Sequence, residues 1–158
     1  MSTPSHQPPL VQGARIDRKA IVAAYVGTLL AFSLLDAGWL SLMAPNFYQD
    51  QVGELLLDSP LWAPGVAFYL LYVVGLLVFC ILPAWRIGST GANWRRAAWS
   101  GALLGLVAYG TYDLSNLATL GGWTLPLTLV DMAWGTFASA VASIVGLRAA
   151  GIVARRGD

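Results

Sequence analysis

Residues 20–44 read AIVAAYVGTLLAFSLLDAGWLSLMA, an unbroken apolar run with one charged side chain, Asp36. A helix rises 1.5 Å per residue, so such a run reaches further than the roughly 30 Å hydrocarbon core of a bilayer. It is far longer than the about 7–15 apolar residues of a cleaved signal, and no small-x-small cleavage site follows it. It therefore reads as a retained transmembrane segment, and the rest of the chain is interpreted outward from it.

Three more runs of similar character follow, at about 61–83, 97–120 and 125–147. Lipid offers no partner to an open backbone, so each run is expected to be helical. The fold class is then all-α: a four-transmembrane-helix bundle within residues 15–150. It is flanked by a disordered tail at 1–14 (MSTPSHQPPLVQGA) and a short tail at 151–158. Between the third and fourth runs, Gly121-Gly122-Trp123-Thr124-Leu125-Pro126 carries glycines to end one helix and a proline for the first turn of the next.

Composition agrees. The chain has 158 residues, 57% hydrophobic and 11% charged, where a soluble domain averages about 25% charged. A net charge of +1 makes no case for nucleic acid, and the partner implied is the lipid bilayer. The single cysteine, Cys80, cannot form an internal disulfide or a CxxC redox pair. The single histidine, His6, lies in the N-terminal tail, which excludes a bis-histidine haem and a zinc–histidine site. The single lysine, Lys19, sits at the edge of the first run, where a retinal Schiff base would be misplaced.

The basic residues set the orientation. Arg15, Arg18 and Lys19 precede the first run, Arg86, Arg95 and Arg96 lie between the second and third, and Arg148, Arg155 and Arg156 follow the fourth. The segments 45–60 and 121–124 have none. The positive-inside rule then puts both termini in the cytoplasm (N-in/C-in). In the outer loop Asp50, Glu54 and Asp58 recur every four residues, with Tyr48, Val52, Leu55 and Leu56 on another face. That spacing predicts a short interfacial helix, acidic side to water.

Three acids lie inside the runs: Asp36, Asp113 and Asp131. Each costs about 2.5–3.5 kcal/mol at a helix centre on insertion scales, so keeping three calls for a reason. Asp36 lies 17 residues beyond Lys19, Asp113 lies 17 beyond Arg96, and Asp131 lies 17 before Arg148. Tyr69 stands at the equivalent position before Arg86. All four would share one depth, about 25 Å from the cytoplasmic boundary. Helical spacing adds Tyr109, Tyr112 and Asn116 to Asp113, Trp134 to Asp131, Trp39 to Asp36, and Tyr72 to Tyr69. No base lies at this depth, so at least one acid should be protonated or hold a cation. Such a layer is the expected ligand- or ion-binding site. Elsewhere Gly101 with Gly105, and Gly135, Ser139 and Ser143, form ridges for close helix approach. A faint internal repeat aligns residues 28–36 with 105–113, their aspartates in register.

The runs Tyr109-Gly-Thr-Tyr-Asp-Leu-Ser-Asn-Leu-Ala-Thr119, Asp131-Met-Ala-Trp-Gly135 and Asp36-Ala-Gly-Trp39 resemble a bacterial integral-membrane family catalogued as domain of unknown function 2177. The resemblance covers residues 20–147 and implies a four-span inner-membrane protein with no assigned activity. The leading expectation is a binder or carrier of a small ligand, proton or cation, with a homodimer left open, rather than an enzyme. The alternatives are an intramembrane enzyme acting on a lipid or isoprenoid through Asp113 and Asp131, and an accessory subunit of a membrane complex.

Overall fold

A computed structural model describes residues 16–86 and 93–156. The N-terminal tail expected at 1–14, which holds His6, lies outside these residues, as do Arg15 and Asp158. The described residues are mostly helical, with no strand among them. Helix α1 (Arg18–Met43) continues through a π-helical turn (Ala44–Tyr48), α2 (Gln49–Val52) and a 3₁₀ turn (Gly53–Leu55). Helix α3 (Trp62–Leu76) passes through a second π-helical turn (Leu77–Ile81) into α4 (Leu82–Arg86). Helices α5 (Asn93–Thr119) and α6 (Leu125–Ala154) complete the bundle.

Local chemistry explains the ends and irregularities. Asp17 caps α1 by accepting from the Ala20 amide at 2.6 Å, and Thr124 caps α6 by accepting from Leu127 at 3.4 Å. Gly122 adopts φ +91°, a left-handed conformation that glycine enters without steric cost, and so turns the chain between α5 and α6. Pro45 and Pro83 each lack the N–H that would bond four residues back, and both π-helical turns lie beside or over a proline.

Burial departs from the pattern of a water-soluble protein. Thr28, Asp36, Asp113, Thr128, Ser139 and Ser143 are buried, while Leu34, Leu42, Leu71 and Phe79 are each at least two-thirds exposed. Lipid is as apolar as leucine, so the hydrophobic effect cannot draw these helices together; close contact between small residues does. Helix α6 is the hub, with Gly135, Ala138, Ser139, Ala142, Ser143, Gly146 and Ala150 buried along it. A Cβ added at Gly101 would press on Ser143, one at Gly105 on the Gly135 backbone, and one at Gly146 on Thr28. Helices α1 and α5 thus lie antiparallel against α6, and α3 packs on α1 through Phe32, Phe68, Tyr69 and Tyr72. At one end Ala20, Ala84, Ala97 and Ala150 join one apolar cluster, which gathers the four helix ends that carry the described arginines and lysine.

Two findings differ from the sequence expectations. Among the described residues, three helices are long and apolar enough to cross a membrane: Arg18–Leu55, Trp62–Arg86 and Leu125–Ala154. Helix α5 has 27 residues but is less apolar, because Arg95, Arg96, Asp113, Ser115 and Asn116 lie on it. The segment 45–60 does not form a separate helix: its helical part continues α1, and Asp58 lies beyond the last 3₁₀ turn, apart from Asp50 and Glu54.

Candidate functional site

The aspartates of α1 and α6 meet through an aromatic network. Asp36, on the α6-facing side of α1, accepts from the Tyr69 hydroxyl at 2.5 Å through Oδ2 and from the Trp134 indole at 3.0 Å through Oδ1. Asp131, one turn before Trp134 on α6, accepts from the Tyr48 hydroxyl through Oδ1. Tyr48 in turn accepts from the Trp39 indole at 2.8 Å. Trp39 and Trp134 are stacked, ring centroids 4.4 Å apart and planes 7° apart. Asp36, Trp134, Trp39, Tyr48 and Asp131 therefore form one continuous linkage between α1, α6 and the π-helical turn.

Tyr109 joins this group from α5. Its ring lies where a Cβ at Gly135 would be, so only glycine there lets α5 approach. Its hydroxyl is within electrostatic reach of Asp36, Asp131, Tyr69 and Tyr72. Tyr72 meets Tyr109 edge-on at 6.3 Å and shares a 2.6 Å hydrogen bond with Ser139.

Asp113 stands apart. It is fully buried, and neither carboxyl oxygen has a hydrogen-bond partner among the described residues. Asp131 acts on it electrostatically from the facing helix, and Asp36 acts on Asp131. The aspartates aligned by the faint internal repeat thus have opposite surroundings: Asp36 holds two donors and Asp113 none. Among the described residues, no three of the His, Cys, Asp and Glu side chains come close enough to hold a metal ion.

The expected polar stripe on α5 is divided by its own helical rotation. Tyr112 is exposed and edge-on to Trp123 at 5.6 Å, and Asn116 is half-buried. Successive residues on a helix point about 100° apart, so Tyr112 and Asp113 cannot face the same neighbour. Of the ten residues singled out, Asp36, Asp131, Tyr69, Tyr109, Trp39 and Trp134 come together. Tyr72 lies at their edge, Asp113 lies alongside, and Tyr112 and Asn116 lie outside the group.

Two participants were not named as site residues from sequence. Tyr48 had been assigned to the apolar face of the outer loop, and Ser139 to a small-residue ridge. The signal for Tyr48 was Pro45 beyond an unbroken helical run, which marks a bend able to bring the next turn back over the bundle. At the same end the Gln51 side chain accepts from Thr124 at 2.5 Å and ties the α2 segment to the start of α6. A cavity of about 530 Å³ lies there, between residues 49–55 and the Gly121–Gly122 turn.

No curated protein and no solved structure matches the chain. A family model described as Predicted membrane protein (DUF2177) matches residues 21–148, which takes in most of α1 through most of α6 and every aromatic and acidic group of the site. The chain therefore belongs to this family of membrane proteins.

Proposed function

We propose that this protein crosses a bacterial inner membrane four times, with both termini in the cytoplasm, and binds a small cationic or proton-bearing ligand at its acidic layer for transfer across the bilayer. Helix α5 is the fourth span. It lies antiparallel to α6 along Gly101, Gly105 and Gly110, with Leu103, Leu106, Val107 and Leu114 facing outward. The base-rich end faces the cytoplasm by the positive-inside rule.

The observation that carries the reading is Asp113: a fully buried acid with no hydrogen-bond donor among the described residues. A group of this kind lowers stability, and ionisable side chains inside a membrane ordinarily mark a substrate or ion path. Asp131 is half-buried, linked to Tyr48, and stands toward the end that holds the outer cavity. Proteoliposomes carrying the purified protein should take up protons or a small organic cation, and Asp113→Asn should abolish that uptake. Equal uptake in variant and wild type would defeat the reading.

One observation favours a second reading. A bare carboxyl beside a phenol-bound one has the asymmetry of an acid/base pair, which fits an enzyme acting on a lipid or isoprenoid. Lipid profiles of a deletion strain separate the two: a single missing lipid species supports the enzyme, and an unchanged profile supports the carrier.

A further inference from the structure

We infer that the species exchanged at the acidic layer is the proton, held on the Asp113 carboxyl and passed to Asp131. This rests on the reading of the layer as a binding and transfer site and names what the site handles. A metal ion, an organic cation and a proton make different demands on structure.

A hard metal ion such as calcium takes six or more oxygen ligands, and magnesium demands near-octahedral geometry. The described acids do not gather to supply even three carboxylates. Asp36 is further committed by its partners, since both of its oxygens receive hydrogens, one from Tyr69 and one from Trp134. An organic cation needs an open aromatic face. The two indoles best placed to offer one lie against each other at 4.4 Å, and the Tyr109 ring lies across Gly135. A proton needs neither ligand shell nor room.

Asp113 is the group suited to hold it. Ionised, it would sit away from water with no donor on either oxygen. The described Lys and Arg side chains lie at the other end of the bundle, around the cluster containing Ala20, Ala84, Ala97 and Ala150. Burying a neutral carboxyl costs far less than burying an unpaired charge, so the neutral acid is the form this position accommodates. The titratable neighbours are Asp131 on α6 and Tyr112 on α5 itself, with Asp36, Tyr48 and Tyr109 grouped around Asp131. In the transfer the Asp113 O–H bond breaks, an O–H bond forms on the Asp131 carboxylate, and the negative charge moves from Asp131 to Asp113. No other reactant is consumed. Asp131 then releases the proton toward the cavity end, and the same step in reverse, a proton taken up there by Asp131 and passed back, restores neutral Asp113. The base-rich end is closed by an apolar plug that includes Ala24, Leu77, Ile81 and Leu147.

Infrared spectroscopy of the purified full chain at neutral pH reads this directly. The wild type should show the carbonyl stretch of a protonated carboxylic acid, moved to lower frequency in D₂O. Asp113→Asn should lose the band and Asp36→Asn should keep it. Asp131→Asn should keep it but slow its exchange with D₂O. Absence of the band in the wild type, or its persistence in Asp113→Asn, would overturn the inference, as would unchanged exchange in Asp131→Asn. The wild-type spectrum needs no variant to fold. Asp113-dependent uptake of an organic cation without the band would leave the carrier reading standing and remove the proton. The band without any uptake would keep the proton on Asp113 and remove the carrier.

Discussion

Trp39 and Trp134 stack face to face, yet their indole N–H groups serve different acids: Trp134 donates to Asp36 directly, and Trp39 reaches Asp131 through Tyr48. The stack thereby joins the two carboxylates into one unit. Parallel indoles this close couple electronically, so near-ultraviolet circular dichroism should show a strong signal that is lost in both Trp39→Phe and Trp134→Phe. Survival of the signal in either variant would mean that the rings are not paired.

Tyr48 fastens the continuation of α1 over the bundle, whereas Tyr69 holds Asp36 from α3. A hydrogen bond to a charged group contributes about 1.5–3 kcal/mol. Tyr48→Phe and Tyr69→Phe should each lower stability in a detergent unfolding titration by that order. Only Tyr48→Phe should also raise amide hydrogen exchange across residues 44–55. Equal exchange in the two variants would show that Tyr48 does not hold this segment.

Gly105 faces the Gly135 carbonyl with no space for a methyl group, whereas Gly121 has nothing near its missing Cβ. Gly105→Ala must part α5 from α6 and should cost about 1–3 kcal/mol, the usual range for overpacking. Gly121→Ala should stay within about 0.5 kcal/mol, as a surface change does. Unfolding midpoints of the two variants, measured side by side, test the glycine contact.

Asp113 forfeits stability by lying buried without a donor. An unsatisfied buried polar group costs about 1–3 kcal/mol, so Asp113→Val should unfold later than the wild type while losing any transfer activity. A gain in stability paired with loss of function is the pattern expected when a residue is kept for activity. A less stable Asp113→Val variant would point to a structural role for the carboxyl.

How much of this was legible beforehand follows residue by residue. Asp36, Asp131 and Tyr69 are readable as one layer, because depth in a membrane is a count of residues from the basic ends, and helical spacing adds Trp39 and Trp134 to them. Helical spacing also adds Tyr112 and Asn116, which lie outside the group in the structure, because Tyr112 is turned about 100° from Asp113 on the helix. Tyr48 escaped it because a π-helical turn beside Pro45 carries the residue back toward Asp131, a change of direction that helical periodicity cannot express.

Apolar length, sparse charge and the motifs around Asp36, Asp113 and Asp131 determined by themselves that this is an all-helical membrane protein of the DUF2177 family. These properties are local, and each helix satisfies its own backbone without its neighbours. Only the tertiary structure decided that Asp36 is held by two donors while Asp113 has none. In lipid the hydrophobic effect does not choose which face of a helix turns inward. That choice falls to close contacts such as Gly105 on Gly135 and Tyr109 across Gly135, which join residues far apart in the chain.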